Sequence, residues 1–126
     1  MKALILIALL ATLYLAQGCY YNSEEFLFPD TGNDCDTTIV TYVQSVVPII
    51  QNNCLSCHSN TSATALGGNV RLEEYVDIKL KADDGKLLGT ISHAAGFVPM
   101  PQGAPKLQEC NIAIIRLWIE AGALNN

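Results

Sequence analysis

Cys54, Cys57 and His58 stand in the pentapeptide Cys54-Leu55-Ser56-Cys57-His58, and that spacing suits one kind of chemistry. Two thiols three positions apart, within about one helical turn, can each add across one of the two vinyl groups of a single porphyrin. The imidazole of the next residue then reaches the iron from beneath the ring. This is the pattern of a c-type haem attachment sequence. Other readings of two close thiols fit less well. A redox-active C-x-x-C disulfide calls for a βαβ setting that the chain does not show. A structural zinc site calls for four ligands, usually in two tightly spaced pairs, and the sequence holds no second pair.

Iron bound by His58 needs a second axial ligand, or it keeps an open face. The chain has two methionines and two histidines; Met1 lies in the N-terminal leader and His58 is committed, which leaves Met100 and His93. Met100 is favoured because it sits between Pro99 and Pro101, whose fixed φ angles limit the motion of their loop. A thioether held in this way stays bound in both iron states, so little reorganises as an electron moves. His93, ahead of Ala94-Ala95-Gly96, would instead give bis-histidine iron at lower potential. If it is not a ligand, it is a loop histidine bonded to a propionate or a backbone carbonyl, or an exposed titrating group. Arg71 could pair with a propionate, since guanidinium matches carboxylate bidentately. Lys79 and Lys81 read as solvated charges, and Asp83 and Asp84 as a capping pair.

An iron with both axial positions filled offers no place for a small-molecule substrate, so outer-sphere electron transfer is the chemistry that remains. Catalytic triads, paired carboxylates and phosphate-binding loops are absent from the sequence, and the expectation is a carrier rather than an enzyme. The formal charge of −5 argues against nucleic acid and anionic membrane surface as partners. It would suit redox partner proteins with a basic docking face.

The elements that must position these groups read as helices. Positions 37–43 are β-branched and predict extended chain. Ser45 is a suitable N-cap and Pro48 falls in the first turn, so a helix over 46–53 should deliver Cys54 at its end. Positions 61–69 read as a loop. A second helix is expected over 72–81 with Glu73 and Glu74 in its first turn, and a third over 86–92 capped by Asp83 or Asp84. Two glycines and three prolines between 96 and 105 exclude regular structure there. Apolar residues at 110, 114, 117, 118 and 121, with a second set at 112, 115 and 119, predict a final helix over 108–121 buried on more than one side. Gly122 should stop it. Strand alternation is lacking, and the fold expected is all-α.

Lys2, an apolar run over 3–16 broken only by Thr12 and Tyr14, and a small-residue exit read as a secretory signal peptide over 1–18. Gly18-Cys19 resembles a bacterial lipoprotein box, in which Cys19 would be lipidated and anchor the chain to a membrane. Gln17 departs from that box, and an ordinary signal-peptidase cut after Ala16-Gln17-Gly18 would leave Cys19 as a spare thiol. Residues 19–36 then form a lipidated N-terminus and tether, and 37–126 a single domain. The two remaining cysteines, Cys35 and Cys110, most simply form a disulfide in an exported chain; the alternative is two buried free thiols.

The order of features resembles class I monohaem c-type cytochromes over about residues 38–123. Its specific points are Cys54-Leu55-Ser56-Cys57-His58, Val98-Pro99-Met100-Pro101 and Ile115-Arg116-Leu117-Trp118-Ile119. With Cys19-Tyr20-Tyr21 in front, the chain looks like a small bacterial cytochrome c lipoprotein. The resemblance implies a cytochrome c-like orthogonal helix fold around one covalent haem c. Its first and last helices would cross and pack, Trp118 would lie near the haem edge, and Met100 would ligate the iron. It also implies a one-electron carrier of the cell envelope, periplasmic or outer-membrane-associated. Two alternatives stay open: a haem-based gas or redox sensor or minor peroxidase with a displaceable Met100, and a fixed electron-relay subunit of an oxidoreductase complex.

Overall fold

The structure, a computed structural model, describes residues 35–126. The leader 1–18, the lipidation candidate Cys19 and all of the tether except Cys35 and Asp36 lie outside the described residues.

Thr41 opens the first helical segment. Its backbone is extended, its Oγ1 accepts the Gln44 N–H at 3.3 Å, and its own N–H donates to Ser45 Oγ at 3.2 Å. This reciprocal cap outweighs the extended preference of the β-branched stretch, so helical structure starts at 42 rather than 46. Tyr42–Val46 forms a π-helical turn that runs directly into α1, Val47–Asn53. The N–H groups of Val46 and Val47 reach five residues back, to the carbonyls of Thr41 and Tyr42. Pro48 follows, with no N–H to give and a ring that would press on the carbonyl four residues earlier. The widened turn accommodates it.

Cys54 separates α1 from the single turn α2, Leu55–His58. Helix α3 covers Tyr75–Asp83, later than the sequence suggests. The reason lies in the residues ahead of it: the Leu72 N–H donates to the His58 carbonyl at 2.8 Å, and the Glu73 carboxylate accepts the Asn60 N–H at 2.6 Å. Those residues tie down the chain after the pentapeptide and are not free to begin a helix. Helix α4, Lys86–Ile91, follows Gly85 at φ 73°, with Asp84 accepting the Lys86 N–H at 2.9 Å. Asp83 does not cap; it pairs with Lys79 at 2.8 Å along α3. After an irregular stretch, α5 runs over Glu109–Glu120 and ends at Gly122, whose φ of 96° only glycine adopts freely. The described residues contain helices and no strand.

The π turn packs on α5, α5 on α4, and α4 on α3. Val46, Ile50, Ile112, Ile115 and Trp118 are at most 2 % exposed and share one core. Burying each such side chain contributes about 1.5–3 kcal/mol before entropy is counted. Helix α5 is less enclosed than its composition suggests: Ile112, Ile115 and Trp118 form the buried face, whereas Leu117 is exposed. Trp118 lies against Tyr42, ring centroids 5.6 Å apart, and its indole N–H donates to the Leu124 carbonyl at 2.8 Å. The last residues return to the start of the domain. Asn126 accepts the Val43 N–H through its carbonyl at 3.0 Å and the Tyr42 N–H through Oδ1 at 2.9 Å, satisfying donors at the helix start that lack a partner within the helix. Cys35 and Cys110 are disulfide-bonded with Cα atoms 5.3 Å apart, which fastens residue 35 to the first turn of α5.

Candidate functional site

The pentapeptide closes as a tight turn because α1 delivers it already helical. The Cys54 N–H donates to the Ile50 carbonyl at 2.9 Å. The Cys57 and His58 N–H groups both donate to the Cys54 carbonyl, at 3.1 and 2.9 Å. Cys54, Cys57 and His58 thus come from one turn onto the wall of one cavity of about 1020 Å³. That volume lies at the upper end of the range for small-molecule and cofactor sites. Met100 lines the same cavity from the Pro99-Met100-Pro101 loop. Buried Leu72, Leu87, Ile91 and Leu107 supply apolar wall between them.

His58 is oriented by a backbone acceptor. Its Nδ1 lies 2.9 Å from the Val70 carbonyl oxygen. A carbonyl can only accept, so Nδ1 carries the proton and Nε2 keeps a free lone pair. Gly67 makes that arrangement possible. A Cβ there would stand 2.5 Å from the Cys57 carbonyl oxygen and 2.8 Å from His58 Nδ1, closer than real contacts allow. Neither Gly67 nor Val70 is singled out by the sequence, where 61–69 reads only as a loop; the consecutive pair Gly67-Gly68 was the available signal.

The Cys54 thiol is pushed up to about 11 by burial. A redox-active C-x-x-C lowers its nucleophilic thiol, so this shift runs the opposite way. Among the described residues no group of three or more His, Cys, Asp or Glu side chains could hold a bare metal ion. The donor set around the cavity is therefore two thiols, one imidazole with a free Nε2 and one thioether. These groups fit the covalent and axial needs of a c-type haem.

His93 does not line the cavity; its Nε2 donates to the Met100 carbonyl at 3.1 Å, the backbone-carbonyl bond expected of it when it is not a ligand. Trp118 is not there either, because its indole is committed to Leu124 and to Tyr42 on another side of the core. Arg71 is exposed and does not line the cavity, although Val70 and Leu72 on either side of it do; Lys81 and Lys86 also line it. Both lysines face Asp84 Oδ2, at 3.8 and 3.0 Å. The Asp84 carboxyl is held below its ordinary range, chiefly by the Lys86 backbone N–H.

Comparison with protein-family models, with curated proteins and with solved structures gave no match to this chain.

Proposed function

We propose that this chain is a monohaem c-type cytochrome of the class I kind, a one-electron carrier in the cell envelope. The observation that supports it is the convergence of Cys54, Cys57, His58 and Met100 on a single largely apolar cavity. When bound, the haem supplies a reversible one-electron iron couple. Cys54 and Cys57 would link it, and His58 and Met100 would hold its iron. Val70 fixes the His58 ring through Nδ1 and leaves Nε2 free, and Leu72, Leu87, Ile91 and Leu107 would give the porphyrin apolar wall. With an imidazole and a thioether both engaged, the iron has no free position for a substrate, which is why the reading is a carrier and not an enzyme. Redox proteins are its partners, and an exported chain with a lipid on Cys19 would place it at a membrane.

The test is expression with export and haem-attachment machinery, followed by mass measurement and optical spectra of both oxidation states. One haem per chain is expected, with a sulfur-to-iron charge-transfer band that Met100→Ala abolishes. The native reduced protein should resist carbon monoxide; rapid uptake would favour gas sensing instead. A colourless product with the mass of the bare polypeptide overturns the proposal.

A further inference from the structure

The two prolines beside Met100 stiffen its loop but cannot fasten it. Neither Pro99 nor Pro101 has an N–H, so Met100 carries the one amide donor of the tripeptide. That donor goes to the Thr90 carbonyl at 3.0 Å. The Met100 carbonyl needs a donor from elsewhere in the chain, and His93 Nε2–H supplies it at 3.1 Å. The His93 backbone N–H, at 3.2 Å, shares the Thr90 carbonyl with the Met100 N–H. Both backbone groups of Met100 are thus tied to the C-terminal end of α4, one directly and one through an imidazole.

The backbone at His93 adds a second observation. Its φ is 54°, the left-handed region that a non-glycine residue enters only at a steric cost. Histidine is placed where glycine would be easier, and the ring it brings reaches Met100. The rest of the loop is closed over the same helix: the Ala94 N–H donates to the Gly89 carbonyl at 2.9 Å, and the Phe97 ring covers the Gly89 α-carbon.

We infer that His93 is the positioning residue for Met100: its hydrogen bond to the Met100 carbonyl holds the thioether-bearing loop in place and sets how readily an outside ligand displaces the sulfur. This rests on Met100 as an iron ligand. His93 does not line the cavity; it acts through the backbone of Met100.

Imidazole titration of the oxidised, haem-loaded protein tests this, followed by loss of the sulfur charge-transfer band. His93→Gly removes the donor and relieves the backbone. It should retain the band without imidazole and bind imidazole about fivefold more tightly, the value of roughly one net hydrogen bond. His93→Gln carries an amide N–H at nearly the same reach and should restore most of the native resistance. Native imidazole affinity in His93→Gly overturns the inference. So does an affinity change in both variants that merely follows their urea midpoints, which would make His93 a general stabiliser. A native protein without the sulfur band, whose spectrum changes with His93→Gly, would make His93 the ligand and overturn the inference while leaving the haem reading intact. A chain that takes up no haem sinks both.

Discussion

His58 Nδ1 donates to the Val70 carbonyl across 2.9 Å beside Gly67, where a Cβ would stand only 2.8 Å from that nitrogen. The chain returns from 59 to 70 in a series of turns whose last contacts are backbone to backbone, with the Val70 N–H on the Gly67 carbonyl at 3.0 Å. Acceptor and gap belong to one loop, and the donor stands at the end of α2 that leads into it.

Gly67→Ala therefore presses a methyl group onto His58 and the Cys57 carbonyl. Overpacking of this kind costs about 1–3 kcal/mol. Weakening the Nδ1–H bond also makes the imidazole less basic, which disfavours ferric iron. The expected result is a lower urea midpoint together with a higher reduction potential in the haem-loaded protein. A stable variant with unchanged potential would show that the Val70 contact does not tune the ligand.

Trp118→Phe separates core from site. The change removes the donor to the Leu124 carbonyl while keeping most of the ring packed against Tyr42. A loss of about 1–3 kcal/mol is expected from the orphaned carbonyl. Because Trp118 does not line the cavity, the visible spectrum of the haem-loaded protein should be unchanged. A shifted Soret band would mean that the indole reaches the site after all.

The contrast between Trp118 and the pentapeptide shows what a sequence of this kind discloses. Cys54, Cys57 and His58 are legible as neighbours because their offsets fit one helical turn, and the structure brings them to one cavity wall. Met100 was legible because prolines on both sides mark a loop residue with no helical face to fill. The last helix was legible from its period and from Gly122. Val70 and Gly67 are not legible, because each acts through a backbone group brought near by the return of a loop, and no residue type encodes that; for His93 the sequence offers a bond to a backbone carbonyl but not which carbonyl it is. The start of α3 falls later than the sequence suggests for a related reason: Leu72 and Glu73 are spent on His58 and Asn60, partners distant in the chain. That Lys81 lines the cavity and Arg71 does not has no sequence signature, because exposure along a short segment depends on the fold around it.

The Cys35–Cys110 bond closes a loop of sequence separation 75, from ahead of the first helix to the start of the last. Its removal frees the unfolded chain, and a native disulfide in a domain this small is worth about 2–5 kcal/mol. The double variant Cys35→Ala, Cys110→Ala should lose stability in that range by urea denaturation. Both cysteines lie outside the cavity wall, so haem content per folded chain should be retained. Free-thiol counts that are equal in reduced and unreduced native protein would show that the bond does not form.

Burial holds the Cys54 thiol near 11, above its ordinary 9.0. Between those values the unfolded chain has released a proton that the folded chain retains. Unfolding is then favoured as pH rises, and the stability that this neutral thiol preserves is complete below about 9 and lost on approach to 11. In protein produced without haem attachment, the urea midpoint should fall across that interval more steeply than in Cys54→Ser, where nothing titrates at the position. Tyrosines and lysines that titrate in the same range contribute equally to both chains, so the difference isolates Cys54. Thioether-linked protein has no thiol there and should match the serine variant. Identical slopes for free-thiol and Cys54→Ser protein would show that the thiol is solvated, and with it that the cavity wall at Cys54 is open to water.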